Sequence, residues 1–337
     1  MAIGIAVDIM GGDHAPDAIL DGVNEALDAY GDRYRLLLAG PEELIRSYLN
    51  SHGKENDSRV EVYDAPEVVG MDEHPVSAVR NKRHSSIAVC MDLVKAQKAQ
   101  AVFSAGNTGA AVASSFFKWR MLKGIDRPGI ATQFPTLKEP FVLLDSGATV
   151  DCTPSMLVQF ALMGTVYMEL VLNRPKPRVG LLSNGTEETK GCRLVQDAFK
   201  LLSETPGINF IGNVEGHGLF SGDVDVVVCD GFVGNVVLKS CEQLAATIGK
   251  LIKQSIKSNP LWAVGGLLSK GAFGVLKEKM DYSETGGAPL LGVNGVCMIG
   301  HGISDAKAVR NGIRAAANFV HVGVNERIAE RVQILNV

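Results

Sequence analysis

What most constrains this chain is a recurring unit: a short apolar run the length of a buried strand, closed by glycine or aspartate, then a segment with helical spacing. Residues 3–8, 34–39, 60–63, 101–104, 178–183 and 224–229 each supply such a run. Unbroken apolar runs belong to parallel strands covered on both faces, and their alternation with helices is βαβ repetition. In Leu36-Leu37-Leu38-Ala39-Gly40-Pro41-Glu42-Glu43, glycine turns the chain, proline opens a helix and two acids face the positive end of its dipole. Thr153-Pro154 begins another helix in the same way. Around Pro135-Thr136-Leu137-Lys138-Glu139-Pro140, the runs 129–133 and 141–145 predict an antiparallel pair that interrupts the parallel order. The pattern predicts one α/β unit over residues 1–337 with a mostly parallel sheet, or the same unit drawn into two lobes about a cleft.

Length and composition narrow the function. The chain has 337 residues, 46% hydrophobic and 21% charged, which excludes a disordered or fibrous protein. Its 33 Lys and Arg against 37 Asp and Glu leave a formal charge of −4, so no chain-wide basic field draws in nucleic acid and none is expected as a partner. Cys90, Cys152, Cys192, Cys229, Cys241 and Cys297 form no C-x-x-C pair and no zinc-type spacing with histidine. They read as reduced thiols of a cytosolic protein, and no metal is expected. The first seven residues reach Asp8 without the basic start and long apolar region of an export signal. Residues 101–117, 152–168 and 285–304 carry no charge, but Gly, Asn, Ser, Thr, Gln and Pro stud them. They suit buried turns beside a small ligand rather than membrane spans.

Ligands of open parallel sheets sit at the carboxyl ends of the strands. There the chain places Asp8-Ile9-Met10-Gly11-Gly12-Asp13-His14, Ser104-Ala105-Gly106-Asn107-Thr108-Gly109, Asp145-Ser146-Gly147-Ala148-Thr149, Asn184-Gly185-Thr186-Glu187-Glu188-Thr189-Lys190-Gly191 and Asp230-Gly231-Phe232-Val233-Gly234-Asn235. Glycines let backbone amides approach an anion, and helix N-termini add positive potential, which together suit a phosphate. Neither G-x-G-x-x-G nor G-x-x-x-x-G-K-[ST] occurs, nor H-E-x-x-H or G-x-S-x-G. Dinucleotide, nucleotide, metalloprotease and α/β-hydrolase signatures are therefore missing, and phosphate without a nucleotide survives.

The motifs resemble the bacterial phosphate acyltransferases, which convert acyl-acyl carrier protein and inorganic phosphate into acyl phosphate for phospholipid synthesis. The likeness begins at Ile5-Ala6-Val7-Asp8-Ile9-Met10-Gly11-Gly12-Asp13-His14-Ala15-Pro16 and runs through residues 104–109, through Asp151-Cys152-Thr153-Pro154 with Gln159-Phe160-Ala161, and through residues 185–191, 226–239 and 287–295. Thr149 and Cys192 depart from it, each standing where the family pattern has Asn. The resemblance implies an α/β/α sandwich of the isopropylmalate dehydrogenase and phosphotransacetylase kind, a homodimer, and no cofactor.

The implied reaction needs neither a strong base nor a strong acid. Phosphate is largely dianionic at neutral pH and a thiol is a tolerable leaving group. The protein must collect the anion, hold it at attack distance and stabilise an oxyanion, which calls for Lys, Asn and backbone amides. The resemblance places a catalytic or phosphate-orienting lysine at Lys190. Asn235 is the parallel choice, an amide between opened backbone that donates without changing charge. Gly11, Gly12, His14, Asn107, Thr108, Asn184, Gly185 and Gly234 are candidate phosphate or acyl phosphate contacts. His14, the only histidine in a Gly/Asp motif after a predicted strand, either delivers a proton to the thiolate, donates to phosphate, or makes a structural hydrogen bond to Asp8 or Asp13. Asp8, Asp13, Asp145 and Asp230 would repel phosphate directly, so they read as groups that orient its neighbours.

Three further expectations concern partners. Acidic acyl carrier protein needs a local basic patch, for which Arg80, Lys82 and Arg83, or Lys118, Arg120 and Lys123, are candidates. Over residues 250–280 an uncharged run holding Leu261, Trp262, Val264, Leu267 and Leu268 lies between Lys250, Lys253 and Lys257 on one side and Lys270, Lys277 and Lys279 on the other. Gly265-Gly266 could turn the chain there. This apolar tip fits shallow, reversible contact with the inner face of the cell membrane, where a downstream membrane acyltransferase would use the product. A coenzyme A-dependent acyltransferase, a nicotinamide-dependent dehydrogenase and a scaffold are the competing functions.

Overall fold

The computed structural model describes residues 2–335, without the side chains of residues 277, 278, 280, 282 and 335. Met1 and the side chain of Lys277 thus lie outside the described residues. In chain order the strands are β1 (Ile3–Asp8), β2 (Tyr34–Gly40), β3 (Val60–Asp64), β4 (Ala101–Ser104), β5 (Gly129–Ile130), β6 (Thr132–Phe134), β7 (Phe141–Leu144), β8 (Arg178–Leu182), β9 (Asn209–Val214), β10 (Val226–Val228), β11 (Ala288–Leu291) and β12 (Val296–Ile299). They form one sheet in the order β3-β2-β1-β4-β12-β11-β5 and a second in the order β6-β7-β10-β8-β9. Pairing is parallel except where β11 meets β12 and β5, and where β6 meets β7.

The apolar runs are continuous because both faces of each sheet are covered. Along β1, Ile5 and Val7 enter one buried cluster and Ala6 another, and β2 divides likewise into Leu36 and Leu38 against Leu37 and Ala39. β7 and β10 repeat the division, with Val142, Leu144, Val226 and Val228 in the first of those clusters and Leu143 and Val227 in a third. The first cluster therefore draws on both sheets. Helices enter on both faces: Ile19, Leu20, Phe160 and Ile313 come from helices into the first cluster, and Ile87, Met91 and Ala110 from helices into the second, as the expected α/β/α arrangement requires. The uncharged stretch at 152–168 is explained by the Pro154–Leu170 helix, which is buried on nearly every side and capped by the Thr153 hydroxyl.

The structure corrects the reading of residues 129–133 as one strand. The chain leaves the first sheet after β5, donates the Ala131 amide to the Pro289 carbonyl at 3.1 Å, and enters the second sheet as β6. Only β6 pairs antiparallel with β7, through Thr132↔Leu143 and Phe134↔Phe141. Residues 285–304, read as turns, contain β11 and β12.

The Gly231–Lys257 helix buries Gly231 and Gly234 at its start and then runs on with no buried residue. Pro260–Leu268 and Lys270–Met280 are helices too. Gly265 and Gly266 lie inside the first of these and make no turn. A Cβ on Gly266 would stand 2.5 Å from Ile256 Cγ2, so glycine lets the two helices close there. Leu261, Trp262, Val264, Leu267 and Leu268 remain exposed. No helix among the described residues is long and apolar enough to cross a membrane.

Candidate active site

β7, β10 and β8 are adjacent and parallel, so the loops leaving their carboxyl ends share one edge. Asp145, fully buried after β7, is the organising residue. Its Oδ1 accepts the amides of Ile130, Gly147 and Ala148 at 2.8, 3.0 and 3.0 Å, and its Oδ2 accepts that of Thr149 at 2.6 Å. Burial pushes this carboxyl up, opposed by those backbone donors. Thr149, one of the two departures, donates its hydroxyl to the Pro128 carbonyl at 2.8 Å.

The helix after β10 starts hard against this loop. A Cβ on Gly231 would stand 2.5 Å from Asp145 Oδ2, and one on Gly234 would overlap the Asp145 carbonyl oxygen. Asp230 caps the helix, accepting the Val233 amide at 2.9 Å. Asn235 follows, exposed, with its Oδ1 3.6 Å from where a Cβ on Gly147 would be. The loop after β8 folds on itself. Asn184 Oδ1 accepts the Gly191 amide at 2.9 Å, and Asn213 donates to the Glu187 carbonyl at 2.9 Å. Gly185 has no side chain to block the stem of Lys190, whose Cγ would lie 2.5 Å from a Cβ there. Lys190 is exposed and makes no ion pair or side-chain hydrogen bond among the described residues. Cys192, the second departure, precedes the next helix without capping it.

A second set of loops leaves β1, β4 and β12. Asp8 is buried, its Oδ2 accepts the Ser104 hydroxyl at 2.6 Å, and burial raises its pKa. Gly11 and Gly106 meet closely, since a Cβ on Gly11 would be 2.8 Å from the Gly106 nitrogen. Gly12 has φ +122° and lies beside Gly302, whose carbonyl accepts the Asp13 amide at 2.7 Å. Asp13 and His14 are exposed, as is Thr108 at its helix start. Asn107 is occupied at both ends: Oδ1 caps Ala110 at 3.0 Å, and Nδ2 donates to the carbonyls of Gly70, Met71 and Glu73 at 3.1–3.2 Å.

The two edges are tied together by a histidine that sequence reading passed over. His301 stands in Gly300-His301-Gly302, directly after β12, so His14 is not alone in a glycine motif following a strand. Its Nδ1 accepts the Ile303 amide at 3.3 Å, and its Nε2 lies 3.6 Å from Glu242 on the helix that carries Asn235. Burial raises the Glu242 pKa, but the nearby His301 ring and the hydrogen bond from Lys239 at 2.9 Å outweigh it and hold the carboxyl below its usual range. The signal was the tripeptide itself, hidden because the strand before it was missed.

The chemistry open to this site is anion binding and oxyanion stabilisation. Two thiols lie close by, yet burial pushes Cys152 up to about 12 and Cys229 well above the ordinary thiol range. Neither is a thiolate nucleophile at neutral pH.

Comparison with known proteins follows the same line. The family model described as fatty acid synthesis protein matches residues 3–327. A phosphate acyltransferase of Geobacter sp. (strain M21) is 49% identical over 328 residues, spanning 97% of this chain and 92% of that protein. One from Nostoc sp. (strain PCC 7120 / SAG 25.82 / UTEX 2576) is 45% identical over 334 residues, spanning 98% and 97%. Among solved structures, a phosphotransacetylase from Streptococcus pyogenes has a TM-score of 0.63 at 16% identity, covering 95% of this chain and 94% of that one. A branched-chain phosphotransacylase from Enterococcus faecalis V583 gives 0.57 at 15%, covering 95% and 99%. The structural likeness is one of fold, while the sequence likeness runs nearly end to end and bears out the resemblance carried by the motifs. The chain is therefore an acyltransferase and belongs to the phosphate acyltransferase family of fatty acid synthesis proteins.

Proposed function

We propose that this enzyme moves a fatty acyl group from the phosphopantetheine thioester of acyl carrier protein to inorganic phosphate, and that the acyl phosphate serves glycerol-3-phosphate acylation. The observation that carries the reading is Lys190, whose ammonium has no partner among the described residues and whose stem packs over Gly185, on the loop beside the one that presents Asn235. A phosphate oxygen attacks the thioester carbon, and the carbonyl electrons move to oxygen. When they return, the C–S bond breaks, its electron pair leaves on sulfur, and the thiolate takes a proton from water. Lys190 balances the phosphate charge, and the Asn235 amide donates to the oxyanion as it forms. Asp145 does not repel the phosphate, because its oxygens are spent on four amides of its own surroundings. Incubation with long-chain acyl carrier protein and radiolabelled phosphate tests the reading: label in an acyl phosphate supports it, and turnover only with acyl-coenzyme A overturns the choice of donor.

The same reading places the protein in the cytoplasm as a homodimer that touches the inner membrane face. Support for a second copy comes from Leu244, Ile248 and Leu251, which are exposed at helical spacing along one stripe of the Gly231–Lys257 helix. Support for membrane contact comes from the Pro260–Leu268 helix, where Leu261 and Leu268 are 75% and 83% exposed and lysines stand on both sides.

A further inference from the structure

Arg80 and Arg83 of one basic cluster meet Lys118 of the other in space. Val79, Arg80, Arg83, Asp92, Phe117 and Lys118 line one cavity of about 300 Å³ on the helices that cover the first sheet. Lys118 is committed, donating to Asp92 at 2.5 Å and to the Ala88 carbonyl at 2.9 Å. Lys82 is committed as well, to Glu73 and to the Val68 carbonyl. Arg80 and Arg83 are exposed and have no partner among the described residues. Two uncompensated guanidiniums thus flank Phe117, which is 48% exposed. On a chain with net charge −4, this is a local positive site and not a share of a general field.

We infer that this cavity is where acyl carrier protein docks: carboxylates of an acidic helix pair with Arg80 and Arg83 while an apolar side chain of that helix enters beside Phe117 and Val79. The inference rests on the carrier-protein donor proposed above. Arginine forks match carboxylates in pairs, and an arginine–aromatic centre is the usual composition of an interface anchor. The volume is at the small end for ligand pockets and suits a side chain rather than a long acyl tail. The helices that form the cavity also lead back to the β4 loop. Asn107 of the β4 loop fastens residues 70–73, and the Pro75–Asn81 helix follows, with Pro75 packed against Gly109. Phe117 lies eight residues beyond Gly109 on the Thr108–Trp119 helix, about 12 Å at the helical rise. A pantetheine arm from a carrier seated there can extend along that helix toward the loops at the carboxyl edge.

The test is the double variant Arg80→Glu/Arg83→Glu, assayed with acyl carrier protein thioester and, separately, with acyl-pantetheine, which has no carrier surface. The expected result is a KM for the carrier thioester raised at least tenfold, an unchanged turnover of acyl-pantetheine, and a wild-type advantage that shrinks as salt is added. An unchanged KM, or an equal loss on both donors, overturns the docking surface while leaving the donor reading intact. A wild-type enzyme indifferent to the carrier thioester defeats both together. A variant that elutes as a smaller species assigns the face to contact between copies, and one that loses only binding to anionic vesicles assigns it to lipid. Either outcome overturns the inference.

Discussion

The carbonyl oxygen of Asp145 occupies the space that a Cβ on Gly234 would need, so the loop after β7 and the helix after β10 meet with no side chain between them. That contact sets where Asn235 stands. The same aspartate gathers four amides with its carboxylate, so one residue fixes both walls of the site.

Gly234→Ala should force the helix start away from the loop. A lowered melting temperature and at least a tenfold loss of acyl transfer are expected. Asp145→Asn tests the other half of the contact. Its carboxamide nitrogen cannot accept from the amides that now converge on a carboxylate, and each buried donor left unpaired costs about 1–3 kcal/mol. A variant with native stability and turnover in a thermal melt and an activity assay would contradict this view of the loop.

His301→Ala should cut turnover by about tenfold, because it releases the helix carrying Asn235 from the loop after β12. Glu242→Gln keeps the shape but not the charge and should fall between that variant and the wild type. Parallel measurement of turnover and stability checks both; native turnover in the alanine variant would leave the tie without a role.

Asp225 should govern part of the acid stability. It is 6% exposed and accepts from the Arg178 amide at 2.7 Å, Nε at 2.9 Å and Nη2 at 3.0 Å. Burial raises its pKa, but the hydrogen bonds and charge of Arg178 outweigh that and hold it below the usual carboxylate range. A depressed folded pKa contributes stability above the unfolded value, near about 4, and that stability is lost as pH falls through the folded one. Because the Arg178 side chain is partly exposed and screened, Asp225→Asn should cost about 1–2 kcal/mol at pH 7. Denaturant melts should show the gap from wild type narrowing below about pH 4. A gap that is constant down to lower pH would refute the linkage.

The Pro260–Leu268 helix should be dispensable in solution. Replacing Leu261, Trp262 and Leu268 with polar residues should abolish sedimentation with anionic liposomes and leave turnover of dispersed substrate intact. Loss of activity in solution, or a change in oligomeric state, would make the arm structural.

Much of this was legible in the chain because buried parallel strands announce themselves as apolar runs. β1, β2 and β4 are such runs, with side chains entering clusters on both faces. β9 was not legible: it is a sheet edge, it alternates exposed and covered positions, and its pairing with β8 slips between Val179 and Leu181. β11 and β12 were hidden among glycines, which cost the reading His301. The break at Ala131 leaves no local mark, since one apolar stretch serves two sheets. Motif order brought Lys190 and Asn235 to the same edge on paper, but the use of Asn107 could not be foreseen. Its carbonyl partners lie more than thirty residues away.

The most direct measurement is acyl phosphate formation by Lys190→Ala and Asn235→Ala, each checked by thermal melting. Both variants should melt like the wild type, since each side chain is exposed, and each should lose at least about tenfold in turnover as one donor to phosphate or oxyanion disappears. Near-native turnover in a folded variant would remove that residue from the site, and near-native turnover in both would place the chemistry elsewhere.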